Sequence, residues 1–248
     1  MKKLFLILAP VLLFSFVALQ QKRPVKIFLA GDSTMSVKRL SAYPETGWGM
    51  PFVHFWDSTV SVVNLAQNGR STRTFISEGW WKKIIDSAQA GDYVFIQFGH
   101  NDESVEKKDR YTTPEQYMAN LEKFIKETRE KKAIPVLVTP ISRRRFTNGE
   151  AQPTHAAYTP LVLQVAALQK VPVINLDEKS RQLYQTMGEE NSRLLFLQLR
   201  AGEHPNYPDG KIDNTHFNEL GARLVAQIVL DDIKTLLPEL AERVVKRK

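Results

Sequence analysis

Short apolar runs alternate with longer stretches of helical periodicity from Val25 onward. The short runs are rich in β-branched and aromatic residues and contain few polar positions, which is typical of strands covered on both faces of a parallel sheet. These runs lie at residues 25–30, 61–65, 93–98, 135–139 and 172–176. The alternation predicts βαβ units, and therefore an α/β fold built on a five-stranded parallel sheet.

Helix signals lie between these runs. Thr113-Pro114-Glu115-Gln116 offers an N-cap, a proline in the first turn and a capping-box glutamine. Apolar residues then recur at steps of three and four up to residue 128, which predicts an amphipathic helix. Further helices are predicted at residues 158–169 and 218–237. Residues 188–215 are irregular and contain several glycines and prolines, which predicts a long loop.

The chain begins with Lys2 and Lys3 followed by an apolar stretch over residues 4–19. This stretch is shorter than the roughly 18 to 20 apolar residues that a membrane-spanning helix needs, and a basic head before it is typical of a secretory signal. We predict a signal peptide at residues 1–20, one folded domain at residues 21–248, and a secreted or periplasmic protein. No stable membrane partner is expected after cleavage. An uncleaved membrane anchor is the alternative.

The amino-acid composition limits both the class of protein and the kind of nucleophile that is possible. With 43% hydrophobic and 25% charged residues among 248, the chain matches a globular domain rather than a disordered, collagen-like or coiled-coil protein. It contains no cysteine, which excludes a disulfide framework, a thiolate zinc site and a cysteine nucleophile. A nucleophile must therefore be an oxygen or a lysine. The net charge of +7 is mild, and Lys2 and Lys3 contribute two of those charges.

Polar, glycine-punctuated clusters follow three predicted strands, and a fourth opens the last predicted helix. Ligands of open parallel sheets bind beyond the carboxyl ends of the strands, so these clusters are expected to meet at one site. The clusters are Gly31-Asp32-Ser33-Thr34-Met35, Gly69-Arg70-Ser71-Thr72-Arg73-Thr74-Phe75, Phe98-Gly99-His100-Asn101-Asp102 and Asp213-Asn214-Thr215-His216-Phe217.

The residue types in these clusters suit nucleophilic catalysis. Ser33 lies on a tight turn from a strand to a predicted helix, and its hydroxyl needs a base, for which His216 is the candidate. Asp213 precedes His216 by three residues, so a helical turn would place its carboxylate where it orients the imidazole. The backbone amides of Ser33 and Gly69 and the side-chain amide of Asn101 would donate to a developing oxyanion.

Other residues are candidates for substrate binding. Guanidinium groups bind carboxylates well, which suits an acidic polysaccharide, although an arginine that holds one loop to another is the alternative. The arginines that follow the second and fourth predicted strands are Arg70, Arg73, Arg143, Arg144 and Arg145. Trp48, between Gly47 and Gly49, could offer a flat face to a sugar ring, as could Trp80 or Trp81, although large aromatic residues more often belong to the core.

The four clusters resemble the sequence blocks of the SGNH, or GDSL-type, hydrolases. The resemblance spans residues 27–217 and implies a nucleophilic Ser33, a His216 paired with Asp213, and an oxyanion hole that includes Gly69 and Asn101. It also implies a three-layer α/β/α flavodoxin-like fold with strand order 2-1-3-4-5. The clusters look most like the rhamnogalacturonan acetylesterase branch, which implies deacetylation of pectic polysaccharide without a metal or other cofactor.

Four alternatives remain open. A lipase or lysophospholipase and an acetylxylan esterase would use the same fold. His100, Asp102, Asp213 and His216 could instead form an oxygen and imidazole site for metal-assisted deacetylation. A non-catalytic carbohydrate-binding protein is the fourth. The leading interpretation expects an acetylated acidic polysaccharide as the partner and no nucleic acid.

Overall fold

The computed structural model describes residues 23–246, so the predicted signal peptide lies outside the described residues. The strands are β1 (Val25–Gly31), β2 (Val60–Asn64), β3 (Tyr93–Gln97), β4 (Ile134–Val138), β5 (Phe146–Thr147), β6 (Glu150–Ala151), β7 (Val173–Ile174), β8 (Phe196–Leu199) and β9 (Lys211–Phe217). The α-helices are α1 (Gly49–Phe52), α2 (Thr72–Ser77), α3 (Trp80–Ser87), α4 (Pro114–Glu130), α5 (Thr159–Gln169), α6 (Leu176–Asn191), α7 (Glu219–Leu236) and α8 (Pro238–Ala241).

The main sheet has five parallel strands in the order β2-β1-β3-β4-β7. Because β5 and β6 form a separate small hairpin, β7 is the fifth strand of the main sheet. The strand order is therefore the predicted 2-1-3-4-5, which confirms the flavodoxin-like topology. All five predicted strands are present. The fifth is shortened to Val173–Ile174, because Asn175 already caps α6 by accepting a hydrogen bond from the Glu178 amide.

Helices cover both faces of the sheet, as the near-continuous apolar strands predict. Along β1, Ile27 and Leu29 pack into one core together with side chains of α1, α6 and α7. Phe28 and Ala30 alternate with them and pack into a second core with side chains of α2, α3, α4 and α5. The fold is therefore a three-layer α/β/α sandwich, and the carboxyl ends of its strands form one edge.

The capping signal for α4 is confirmed in detail. The Thr113 hydroxyl accepts a hydrogen bond from the Gln116 amide, and the Gln116 side chain accepts one from the Thr113 amide. The helix buries the predicted face, from Tyr117 to Thr128, against the second core. Near this end, the Tyr117 hydroxyl donates to the carbonyl of Phe98, which directly follows β3.

The prediction of a long loop over residues 188–215 is wrong. This segment contains the end of α6, a 3-10 helix at Ser192–Leu195, strand β8 and the start of β9, which pairs antiparallel with β8. Gly188 lies within α6, whereas the other glycines and the prolines belong to the turn between the two strands. Phe196 and Leu197 are buried. The cluster from Asp213 to Phe217 consequently lies in β9, and α7 begins only after Asn218.

Among residues 23–246, no helix has the length and apolar character needed to cross a membrane.

Candidate active site

Ser33 lies on a tight turn that immediately follows β1. The Asp32 carbonyl accepts hydrogen bonds from the amides of Met35 (3.3 Å) and Ser36 (3.1 Å), and the Asp32 carboxylate accepts from the amide and hydroxyl of Thr34. The predicted helix after this turn is not formed: the next helical residues are Leu40–Ala42. The position of Ser33 is therefore fixed by this turn, not by a helix N-terminus.

His216 contacts both Ser33 and Asp213, as predicted. His216 Nε2 lies 2.9 Å from Ser33 Oγ, and His216 Nδ1 lies 2.8 Å from Asp213 Oδ2. The other carboxylate oxygen, Asp213 Oδ1, accepts hydrogen bonds from the amides of Thr215 (2.7 Å) and His216 (3.0 Å). Ser33 is half-buried and the His216 side chain is 27% exposed, so the hydroxyl is accessible from solvent.

The local geometry that joins Asp213 to His216 differs from the predicted helical turn. In a regular strand, residues three apart point to opposite faces. Here Phe196 pairs with Phe217 and its neighbour Leu197 pairs with Asp213, so the residues between Asp213 and Phe217 bulge out of the ladder. Because of the bulge, the His216 side chain lies on the same side of the strand as Asp213. A β-bulge can change the direction of a side chain in this way.

The electrostatics of this pair favour an ionised Asp213 carboxylate. Burial raises the pKa of Asp213, but hydrogen bonds from the His216 ring and from two backbone amides, together with attraction to His216, outweigh burial and lower that pKa below its usual value. An ionised Asp213 accepts the Nδ1 proton, which leaves Nε2 free to accept from Ser33. The arrangement can thus move the Ser33 proton to His216.

The segments of Gly69 and Asn101, which are predicted to form an oxyanion hole, are tied to each other. Gly69 has a φ of +73°, in the left-handed region that favours glycine. Asn101 is buried, and its side-chain amide donates to the Arg70 carbonyl at 3.0 Å, which links the β3 loop to the loop of Gly69. Within residues 23–246, neither the Ser33 nor the Gly69 amide donates a hydrogen bond, so both are available to a ligand.

Lys38 is a site residue that the sequence analysis missed. It is buried, and its ammonium donates to the Ser33 carbonyl (2.5 Å) and to Asn68 Oδ1 (2.7 Å) and pairs with Glu45 at 2.7 Å. Burial lowers the pKa of Lys38, and Glu45 opposes that shift. The ammonium therefore joins the turn of Ser33 to the residue that precedes Gly69. No sequence signal separates such a lysine from a surface lysine.

Four of the five candidate arginines make side-chain contacts within the protein, and Arg145 is exposed. Arg70 pairs with Glu78 at 2.8 Å, and the Arg73 guanidinium donates to the Lys108 carbonyl at 2.7 Å. Arg143 pairs with Glu103 at 2.8 Å. These three remain partly exposed, so their roles stay a prediction.

Arg144 has the alternative role that was left open for these arginines. Its buried guanidinium donates to Ser192 Oγ (2.9 Å), to Asn214 Oδ1 (3.1 Å) and to the Glu189 carbonyl. Its backbone amide also donates to the Asn214 carbonyl at 2.8 Å. Arg144 therefore holds the bulged part of β9 to the loop after β4.

The prediction that Trp48 offers a face to a sugar ring is wrong. Its side chain is 0% exposed, and its indole N–H donates to Gln97 Oε1 at 2.6 Å. The flanking glycines permit close packing: a Cβ at Gly47 would lie 2.1 Å from the Ser36 carbonyl, and one at Gly49 would lie 2.5 Å from a side-chain nitrogen of Asn64. The glycines therefore indicate a tight backbone approach around a core tryptophan.

The other two tryptophans have separate environments. Trp81 is buried in the second core, where its indole N–H donates to Glu127 at 2.6 Å, so it too is a core residue. Trp80 is half-buried, with the Lys83 ammonium 3.8 Å from the centre of its ring.

The four residues considered for a metal site lie in different surroundings. Asp102 is buried and accepts hydrogen bonds from the amide and hydroxyl of Thr72, at 2.9 and 2.6 Å. The His100 ring packs edge-on against the His155 ring, with centroids 4.3 Å apart. In the described part of the chain, no three histidine or carboxylate side chains are grouped as metal ligands. Asp213 and His216 instead bond to each other.

Comparison with known proteins gives the family. Residues 29–224 match the GDSL-like lipase/acylhydrolase family. The chain belongs to this family. It is 42% identical over 228 residues to a protein named rhamnogalacturonan acetylesterase RhgT of Bacillus subtilis (strain 168), covering 92% of this chain and 97% of that protein. It is 35% identical to a probable rhamnogalacturonan acetylesterase, YesY, of the same organism, covering 90% and 98%.

Solved structures support the same fold. The structure of the Bacillus subtilis protein YxiM superposes with a TM-score of 0.73 at 26% identity, covering 85% of this chain and 56% of that one. Axe2, an acetyl-xylooligosaccharide esterase from Geobacillus stearothermophilus solved as a mutant, superposes with a TM-score of 0.62 at 19% identity, covering 85% and 94%. As a GDSL-like acylhydrolase, the chain is a hydrolase of carboxylic ester bonds.

Proposed function

We propose that this chain is a serine carbohydrate esterase that removes acetyl groups from a pectic polysaccharide. The observation that carries the proposal is the line of contacts from Ser33 through His216 to Asp213, at 2.9 and 2.8 Å. The relatives named as rhamnogalacturonan acetylesterases, which align over nearly the whole chain, support the choice of substrate.

The proposed reaction has two stages. Ser33 Oγ attacks the acetyl carbonyl carbon while His216 Nε2 takes its proton, and the amides of Ser33 and Gly69 with the Asn101 side chain stabilise the oxyanion. When the tetrahedral intermediate collapses, His216 returns the proton to the departing sugar oxygen, which leaves an acetyl group on Ser33. Water then attacks this acetyl-enzyme, again with His216 as base. Acetate departs and the Ser33 hydroxyl is restored.

A polar and accessible site suits a short acyl group on a sugar better than a fatty acyl chain. The side chains that bond to Ser33 are those of Lys38, Ser36 and His216. All three are polar, and none of them offers the apolar wall that a long acyl chain needs. Comparing acetyl with octanoyl esters tests the lipase alternative directly. A higher kcat/KM on the octanoyl ester would overturn the proposed acyl specificity.

The catalytic assignment is tested with Ser33→Ala. We expect at least a thousandfold loss of hydrolysis of an activated acetate ester, because the oxyanion hole alone retains only a small part of the catalysis. Arg129→Gln, an exposed site on α4, is the matched control and should keep full activity. Activity of Ser33→Ala within tenfold of wild type would show that another residue is the nucleophile.

The substrate is tested by measuring acetate release from acetylated pectin, xylan and mannan. The proposal expects the highest kcat/KM on acetylated pectic material. Preference for xylan would favour the acetylxylan esterase alternative. Binding of acetylated pectin without release of acetate would establish the non-catalytic alternative.

We also propose that residues 1–20 direct export and are removed. The basic head and the short apolar stretch of the sequence support this. Mass spectrometry of the protein from the medium or periplasm of its host should show a chain lacking about the first twenty residues. An intact Met1 on a protein confined to the cytoplasm would contradict it.

A further inference from the structure

A guanidinium group that no sequence motif includes lies against the proposed oxyanion glycine. A Cβ built on Gly69 would lie 3.0 Å from Arg110 Nη1 and 3.9 Å from its Cζ. Arg110 therefore packs on the α-carbon of Gly69, whose amide is one of the proposed oxyanion donors. Its charge therefore lies beside one of the proposed oxyanion donors.

The orientation of this guanidinium leaves one nitrogen free. Arg110 Nε and Nη2 lie 3.3 and 3.2 Å from Asp109 Oδ2, whereas Nη1, which faces Gly69, donates no hydrogen bond within residues 23–246. The Asp109 side chain is 69% exposed, and such exposed pairs contribute little. The Nη1 nitrogen of Arg110 is thus available to a ligand.

The loop that carries Arg110 is held at several points. The Arg73 guanidinium donates to the Lys108 carbonyl at 2.7 Å, which ties the loop to α2. The Arg110 amide donates to the Lys107 carbonyl at 3.0 Å, and the Thr112 amide donates to the Asp102 carbonyl at 3.0 Å. The Arg110 side chain is 29% exposed, so it is positioned and still reachable. A group that is ordered before binding loses less entropy when the ligand arrives.

Two other candidate arginines, Arg70 and Arg143, form ion pairs within the protein. Arg70 pairs with Glu78 and also donates to the Asn68 carbonyl, and Arg143 pairs with Glu103. Arg110 combines a free nitrogen with contact to Gly69, which none of those groups does. Of Arg70, Arg110 and Arg143, Arg110 is therefore best placed to bind an anionic group of the substrate. That group would belong to the sugar unit that carries the ester or to the next unit.

We infer that Arg110 binds a substrate carboxylate beside the ester that is cleaved, so that the site selects acetyl groups on uronate-containing polysaccharide. This inference rests on the proposed function. A carboxylate held by Nη1 would fix the sugar against Gly69 and bring its acetyl carbonyl toward Ser33. Arg110 would then determine specificity without taking part in proton transfer.

The test compares wild type with Arg110→Gln on three substrates. These are acetylated galacturonan oligosaccharides with free carboxylates, the same oligosaccharides with the carboxylates methyl-esterified, and p-nitrophenyl acetate. We expect Arg110→Gln to raise KM about tenfold on the free-acid oligosaccharide, the scale of one hydrogen bond to a charged group. KM on the methyl-esterified form and kcat/KM on p-nitrophenyl acetate should change less than about twofold.

Two further variants serve as controls, and three results would contradict the inference or the proposed substrate. Arg110→Lys should recover part of the affinity for the free acid, and Arg129→Gln, which removes the same charge from the far end of α4, should change nothing. Equal losses on the free-acid and methyl-esterified oligosaccharides would overturn carboxylate recognition. A large loss on p-nitrophenyl acetate would instead assign Arg110 to the oxyanion region. If wild type cleaved p-nitrophenyl acetate but neither oligosaccharide, the proposed substrate would fail, which is a different result.

Discussion

The Lys38 ammonium lies 2.5 Å from the carbonyl oxygen of Ser33 and 2.7 Å from Asn68 Oδ1. One buried cation thus joins the backbone of the proposed nucleophile to the residue before the proposed oxyanion glycine. Because the spacing between these two loops sets how well the oxyanion donors fit, Lys38 is expected to act on turnover more than on substrate affinity.

We expect Lys38→Met to lower kcat on an acetate ester by about ten- to a hundredfold, with KM nearly unchanged. The substitution also leaves the half-buried Glu45 without its partner, which costs stability. Lys38→Met combined with Glu45→Gln should recover stability but not kcat, as measured by thermal unfolding and by steady-state kinetics. Recovery of both would mean that Lys38 serves folding alone.

Asp213→Asn should lower kcat about 10⁴-fold while the fold is kept, because an amide can hold the ring in the wrong tautomer. In wild type, kcat/KM should fall on acidification, since a protonated His216 cannot accept the Ser33 proton. Asp213 itself, whose pKa is lowered, stays ionised throughout the neutral range. A pH profile that is flat from pH 5 to 8, or near-normal turnover of the variant, would contradict this assignment.

Asp102 should give the protein a stability that decreases as pH rises. Burial raises the pKa of Asp102 to about 7, although hydrogen bonds from Thr72 oppose the shift. An unfolded aspartate releases its proton near pH 4, so the folded state holds the extra proton between about pH 4 and 7 and loses stability across that window. The slope from one such group is at most about 1.4 kcal/mol per pH unit.

Asp102→Asn removes this titration, and its amide oxygen can still accept both hydrogen bonds from Thr72. Urea unfolding of both proteins between pH 4 and 8 should show the variant gaining stability relative to wild type as pH rises to about 7. Parallel curves would mean that Asp102 is already ionised at pH 4 in the folded protein.

Trp48→Phe should destabilise the protein by about 1–3 kcal/mol, because the Gln97 side chain loses a buried donor and the first core loses volume. KM on acetylated polysaccharide should not change, since the side chain is 0% exposed. Trp81→Phe is the matched control in the other core, where it removes a donor to Glu127. A KM increase for Trp48→Phe alone would return Trp48 to the sugar-binding surface.

The strands and the α4 helix were predictable because their signals are local. Apolar runs mark strands that are buried on both faces, and the Thr113 to Gln116 capping box marks a helix start. The β8–β9 hairpin was missed because its turn contains the glycines and prolines that dominate the pattern. Its register shift, which places Asp213 and His216 on one side, depends on pairing with Phe196 and Leu197 and has no local signal.

The sequence by itself determined the parallel sheet, the absence of a thiol nucleophile, and the clusters that contain Ser33, Gly69, Asn101 and His216, because each depends on residue type and short-range spacing. Only the tertiary structure decided the burial of Trp48, the partners of Lys38 and the contact between Arg110 and Gly69. These features arise where segments far apart in the chain meet at the carboxyl edge of the sheet. A charged or aromatic side chain there is exposed, paired or free according to neighbours that no local pattern encodes.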